Sequence, residues 1–263
     1  TTENFIMAAC LAKGTSVMIN SASEPHVQDL CKFLISMGAD IEGVGSSTIK
    51  VKGVEKLSGT TYTVSSDYHE ITTLLALGAM TGGEVSVNNA VPQYFGLIKK
   101  TFHKFGVDIL YNEDRASVKR NSTLKVLQPY TKNILQKVEA APWPYFPADL
   151  LPLMMALAVK AEGNSMFWNK LYEGGFFWIP EMIKFGAHIV MCDPHRVIVF
   201  GNKPLSPAEV NAPKIIRATV ALLMVALTID GESIIYDADA IKRAHPNFVE
   251  NLQALSADVK WRD

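Results

Sequence analysis

Ala161-Glu162-Gly163-Asn164, at the end of an apolar run over residues 153–159, decides the fold, because the same device recurs at Ala12-Lys13-Gly14-Thr15, Thr81-Gly82-Gly83-Glu84 and Ile229-Asp230-Gly231-Glu232. A glycine closing a helical run suits the left-handed C-cap conformation, which side chains with a β-carbon resist. After each closure comes a short alternating run, residues 16–20, 85–89, 165–169 and 233–237, which predicts a strand. A second helix follows in each copy, ending at Met37-Gly38-Ala39-Asp40, Phe105-Gly106-Val107-Asp108, Phe185-Gly186-Ala187-His188 and Leu255-Ser256-Ala257-Asp258. The spacing from first to second closure is 24 residues (Gly14 to Gly38), 23 (Gly83 to Gly106), 23 (Gly163 to Gly186) and 25 (Gly231 to Ser256, a serine in the glycine's place). So regular a period marks an internal repeat, here in four copies.

The first three copies then add two strands, for example residues 40–43 and 48–52 joined by Gly45-Ser46-Ser47. The unit is therefore helix, strand, helix, strand, strand. Its first helices, such as residues 74–79 and 153–159, are hydrophobic nearly all round and must be buried. No unit covers such a helix alone, so several units must pack their helices together with the sheets facing outward. The expected class is a repeated α/β (α+β) architecture, different from a doubly wound nucleotide fold. Neither G-x-G-x-x-G nor G-x-x-x-x-G-K-[ST] occurs in the chain.

With 263 residues, 48% of them hydrophobic, the chain has ample material for buried cores. Its 25 basic and 26 acidic side chains give a formal net charge of -1, which predicts no partnership with nucleic acid or an acidic membrane surface. Cys10, Cys31 and Cys192 have no metal-ligand or disulfide spacing, so no metal is expected and a reducing, cytoplasmic setting is the natural reading. The longest apolar stretch, residues 218–229, falls short of the roughly 20 residues a membrane helix needs. Thr1-Thr2-Glu3-Asn4 lacks the layout of a signal peptide and reads as an internal start.

Several copies also carry specific wording. Thr2-Glu3-Asn4-Phe5-Ile6-Met7-Ala8-Ala9 with Leu11-Ala12-Lys13-Gly14-Thr15, then Glu24-Pro25, Asp29-Leu30, Met37-Gly38-Ala39-Asp40-Ile41 and Val54-Glu55-Lys56-Leu57-Ser58-Gly59, form one ordered set. Ala141-Pro142-Trp143-Pro144 with Phe146-Pro147-Ala148-Asp149 continues it. Together these resemble the enolpyruvyl transferases, and most closely their UDP-N-acetylglucosamine branch, over nearly the whole chain. The resemblance implies six repeats in two three-fold domains, an inside-out α/β barrel arrangement. The four copies here then match the third to the sixth, with residues 1–64 the last repeat of one domain and residues 65–263 most of the next.

It also implies an activity, transfer of the enolpyruvyl group of phosphoenolpyruvate to a sugar hydroxyl of a UDP-sugar in peptidoglycan precursor synthesis. No cofactor is implied. Such chemistry needs cations for the carboxylate and phosphate and a group to manage the hydroxyl proton. Asp149 matches the family's aspartate near the sugar hydroxyl; by position alone it is a helix N-cap. Arg217 matches an arginine at the phosphoenolpyruvate end, and is otherwise an ion-paired flank of a buried helix. Arg243 falls where the family presents a clamp cation, and is otherwise half of a surface pair with Lys242. Leu171 and Glu173 align beside the nucleotide-sugar site. His69, His103 and His188 have no partner spacing and read as structural.

The chain departs from the pattern at Gly174-Gly175, where the family has Asn-Arg, at Ile215-Ile216-Arg217, where it has Asp-Leu-Arg, and at Tyr68 after Asp67, where it has arginine. Two rival readings follow: a paralogue using another acceptor, suggested by the similarity of residues 237–248 to enolpyruvylshikimate-phosphate synthases, or an inactive scaffold of the same fold. The helix at residues 5–11 is expected to pair with an N-terminal portion of the same enzyme or to drive self-association.

Overall fold

The computed structural model describes residues 1–120, 124–131 and 133–262. They divide into two compact units, one of Thr1–Asp67 with Pro142–Tyr145 and one of Tyr68–Ala141 with Phe146–Asp263.

The first unit runs α1 (Thr2–Ala9), β1 (Thr15–Ile19), α2 (Pro25–Ser36), β2 (Asp40–Glu42) and β3 (Thr48–Lys52). Pro25 starts α2 at a position where its missing N–H costs nothing. The strands form an antiparallel sheet in the order β1-β3-β2, with Thr15 opposite Lys52. Alternation in β3 turns Ile49 and Val51 inward against Ile6, Cys10, Val27 and Cys31. Both thiols are free, and burial pushes that of Cys31 up to about 11, with Cys10 beside it adding to the shift, so they act as packing groups. Buried Asp29 accepts hydrogen bonds from the Ser65 N–H (3.1 Å), Ser65 Oγ (2.6 Å) and Tyr62 Oη (2.8 Å), which ties down the segment after β3.

The second unit holds three further copies. The first is α3 (Tyr68–Met80), β4 (Val85–Val87), α4 (Gly96–His103), β5 (Ile109–Asn112) and β6 (Arg115–Val118). Next come β7 (Gln136–Ala140), α5 (Leu151–Lys160), β8 (Asn164–Asn169), α6 (Ile179–Ile183), β9 (His188–Asp193) and β10 (Arg196–Phe200). The last is β11 (Glu209–Asn211), α7 (Ile216–Ala226), β12 (Ile234–Tyr236) and α8 (Phe248–Ala254). Helix α5 packs on both α3 and α7, and of its residues only Pro152 and Lys160 are even partly exposed. Leu75, Ala76, Met154, Leu157, Ala221 and Leu222 belong to one continuous core. The expected class is what forms: apolar helices inside, sheets covering them.

The repeat is exact in sheet order, since β1-β3-β2, β4-β6-β5 and β8-β10-β9 follow one plan. Its closures are left-handed at Gly14, Gly38, Gly106, Gly163, Gly186 and Gly231, and Ser256 takes the same conformation at φ 68°. In the second copy the left-handed residue is Gly82 (φ 66°), while Gly83 donates its N–H to the Gly78 carbonyl. One feature departs from the expected unit. The last two copies each gain a leading strand, β7 or β11, paired in parallel with β8 or β12 through the helix between them. Among the described residues no helix is long and apolar enough to cross a membrane.

Candidate functional site

The second unit gathers polar side chains where its buried helices begin. Helix α3 starts Tyr68-His69-Glu70, α5 is preceded by Asp149 in a 3-10 turn (Ala148–Leu150), and α7 carries Arg217 as its second residue. These starts are neighbours: His69 Nε2 lies 3.9 Å from Asp149 Oδ2, Glu70 Oε2 lies 3.6 Å from His245 Nδ1, and His245 Nε2 lies 2.6 Å from Arg217 Nη1. A run of contacts thus joins the region of Asp149 to that of Arg217.

The segment feeding α5 shows why Asp149 stands clear. Leu150 donates its N–H to the Pro147 carbonyl at 3.1 Å, closing the 3-10 turn, and Pro152 occupies the first turn of α5. The helix-cap role expected from position is not what Asp149 performs, because Leu150 is the N-cap residue of α5 and no side chain bonds there. Its carboxylate is 62% exposed, against 12% for the His69 ring. An accessible carboxylate with an imidazole beside it is suited to holding or moving a proton. His69 and His103, read from the sequence as structural, each have an acidic neighbour, Asp149 for His69 and, for His103, Asp108, whose Oδ1 is 2.8 Å from Nδ1 in a surface contact that fits a structural role.

Arg217 is half-buried at the start of α7, whose N-cap, Ile215, offers no side-chain acceptor to the free backbone N–H groups. Arg243 ends a 3-10 helix (Ala238–Arg243) and its Nη2 donates to the Lys214 carbonyl at 3.4 Å, just upstream of α7. Lys242, its sequence neighbour, turns away to Asp239 (2.8 Å) and the face of Trp261 (4.1 Å). The basic pair thus splits, and only the arginine stays with α7. Two guanidinium groups near the positive end of α7 make a region that attracts phosphate and carboxylate.

Leu171 and Glu173 occupy a different neighbourhood. They lie in the turn after β8, where Asn169 Oδ1 accepts the N–H of Leu171 and of Tyr172 at 3.1 Å each, and His195 Nδ1 donates to the Asn169 carbonyl at 2.8 Å. Glu173 is exposed, and Gly174, left-handed at φ 67°, donates its N–H to the Pro194 carbonyl. A β-carbon on Gly175 would come within 2.7 Å of Asn169 Nδ2, so an arginine here requires the Asn169 amide to move. Among the described residues no group of three or more His, Cys, Asp or Glu side chains is placed to hold a metal ion. The residues of this cluster that the sequence did not single out are Glu70 and His245; the only local signal for His245 is its place in Arg243-Ala244-His245-Pro246.

Residues 1–252 match the family model described as EPSP synthase (3-phosphoshikimate 1-carboxyvinyltransferase). The chain is 40% identical over 259 residues to a UDP-N-acetylglucosamine 1-carboxyvinyltransferase of Borreliella burgdorferi, covering 98% of this chain and 60% of that one. It is 36% identical over 262 residues to the protein of that name from Treponema denticola, covering 100% of this chain and 61% of the relative. The chain thus spans about 60% of the length of these curated relatives. Among solved structures it resembles the enolpyruvyl transferase NikO from Streptomyces tendae, with a TM-score of 0.85 at 22% identity over 98% of this chain and 59% of that one. It also resembles EPSP synthase from Acinetobacter baumannii, with a TM-score of 0.71 at 16% identity over 97% of this chain and 60% of the other.

Proposed function

The chain belongs to the EPSP synthase family, the fold of enolpyruvyl transferases, and on that premise we propose that it is part of an enzyme moving the enolpyruvyl group of phosphoenolpyruvate to a hydroxyl of UDP-N-acetylglucosamine for peptidoglycan synthesis. The 40% and 36% identical relatives bearing that enzyme's name support this acceptor over a shikimate phosphate. The observation that carries the reading is the meeting of three helix starts, which brings the neighbourhood of Asp149 and that of Arg217 together through His69, Glu70 and His245.

In this reading Arg217 and Arg243 receive the carboxylate and phosphate of phosphoenolpyruvate. Asp149 takes the proton of the sugar hydroxyl as its oxygen bonds to the carbon bearing the phosphate; the carbon–carbon double bond opens and takes up a proton at its CH2 end, and loss of a proton from that carbon then re-forms the double bond as the carbon–oxygen bond to phosphate breaks, releasing phosphate. Leu171 and Glu173 border the nucleotide-sugar end. The test is phosphate release by the complete gene product given both substrates, with Asp149→Asn and Arg217→Ala as variants. Loss of one general base or one charge clamp is expected to lower kcat by about 100-fold. A folded protein that releases no phosphate, or variants as active as the parent, rejects the assignment. Competition by a shikimate phosphate with no effect from the UDP-sugar would reassign the acceptor.

A further inference from the structure

His245 is the most enclosed ionisable side chain of this region, with 2% of its side chain exposed, and its Nδ1 makes no hydrogen bond among the described residues. Its ring is fixed from several sides. The backbone N–H donates to the Ile241 carbonyl at 2.9 Å, its carbonyl accepts from Phe248, and the Phe248 ring lies 5.5 Å away. A group so fixed can fix others.

The tautomer follows from the neighbours. Arginine has only donors, so at 2.6 Å His245 Nε2 must be the bare, accepting nitrogen. The ring proton then sits on Nδ1, which faces Glu70 Oε2 across 3.6 Å. A proton on Nε2 would set two donors against each other.

We propose that His245 is a positioning residue for Arg217: it accepts a guanidinium N–H at Nε2, turns its Nδ1–H toward the Glu70 carboxylate 3.6 Å away, and so sets the plane in which Arg217 meets an anionic substrate. This rests on the function proposed above, and deepens it by linking α3, the 3-10 helix and α7 into one relay that orients the phosphoenolpyruvate end alone. The relay uses residues from two repeats, Glu70 from one and Arg217 and His245 from the last.

Three measurements on the complete gene product test it. Long-range nitrogen–proton correlation spectra of its imidazoles should show His245 protonated on Nδ1; protonation on Nε2 overturns the proposal. His245→Phe keeps the ring and removes the acceptor, and should weaken phosphoenolpyruvate binding about tenfold while UDP-N-acetylglucosamine binding changes less than about twofold. His245→Gln returns an acceptor at the same reach and should recover most of the loss. Equal weakening for both ligands, or none, overturns the positioning role. If the parent protein binds no phosphoenolpyruvate, the functional assignment falls and takes the substrate-orienting role with it; if the parent binds and His245→Phe binds equally well, only the role of His245 falls.

Discussion

Gly201 should not tolerate even a methyl group. It follows β10 and lies so close to the end of α5 that a β-carbon would come within 2.0 Å of the Ala161 carbonyl oxygen and 2.3 Å of the Ala158 carbonyl oxygen. Real β-carbons stay at least 3.0 Å from such atoms, so the strand end must retreat by about 1 Å. Two backbone hydrogen bonds hold it there, from Gly201 N–H to the Gly163 carbonyl and from Asn202 N–H to the Val159 carbonyl, both 2.9 Å. Losing them near a buried helix costs about 1–3 kcal/mol each, so Gly201→Ala should destabilise the second unit by about 3–5 kcal/mol.

For a unit of this size each kcal/mol moves the melting temperature by about 2–4 °C, so calorimetry should show a fall of about 10 °C. Gly59→Ala is the control, since a β-carbon there meets nothing within 4 Å, and it should stay within about 0.5 kcal/mol of the parent. The same retreat pulls on α5, whose other end positions Asp149. A Gly201→Ala protein melting within about 2 °C of the parent would refute the reasoning, because no accommodation of a 2.0 Å approach leaves both hydrogen bonds intact.

Asp29→Ala should destabilise the first unit by about 2–3 kcal/mol at neutral pH, measured by urea unfolding, because it orphans the donors of Ser65 and Tyr62. Burial alone would raise the Asp29 carboxyl, but the Ser65 and Tyr62 hydrogen bonds and the Lys32 charge outweigh it and hold it below the ordinary aspartate range. Its contribution is therefore complete above about pH 4 and lost as pH falls through the lowered value, and Asp29→Ala should abolish that part of the acid dependence. Ile215→Asp should stabilise by about 1 kcal/mol, because residue 215 is an N-cap of extended backbone (φ -111°, ψ 116°) with no side-chain acceptor for the first turn of α7. An unchanged or lowered melting temperature would contradict that. The first unit leaves Met7, Leu11, Val17 and Ile19 between 48% and 79% exposed, so the chain on its own is expected to associate in sedimentation at micromolar concentration, and Ile19→Lys with Leu11→Lys to reduce it.

The repeat was legible because its markers are local. A glycine that ends a helix needs only its own backbone angle, and Ser256, at φ 68°, shows that the position keeps its conformation after the glycine is gone. The leading strands were not legible for the opposite reason. Glu209–Asn211 is three residues long, too short to show alternation, and is a strand only because Ile234–Tyr236 lies alongside it. Nor does anything near Gly53 or Gly201 in sequence announce that the Ala12 or Ala161 carbonyl presses on it. Both follow the last strand of their copy, so the close approach is itself a repeated feature, one that helix and strand patterns do not register.

The candidate site obeys the same logic, and this explains why its members are distant in sequence yet nearly equivalent in the repeat. His69 and Glu70 are the second and third residues of α3, Asp149 comes two residues before α5, and Arg217 is the second residue of α7. Each stands where the first helix of its copy begins. Buried helices from consecutive copies pack against one another, so the same position in three copies arrives at one place, and whatever side chains evolution sets there must face each other. Asp149 and Arg217 could be matched by wording, but the histidines beside them could not, because His69 acquires Asp149 only when the starts of α3 and α5 meet, and His245 acquires Arg217 only when the segment after the 3-10 helix folds onto α7. An imidazole that looks solitary in the chain is therefore best read by its place in the repeat, and by that rule His69, at a helix start, falls beside Asp149.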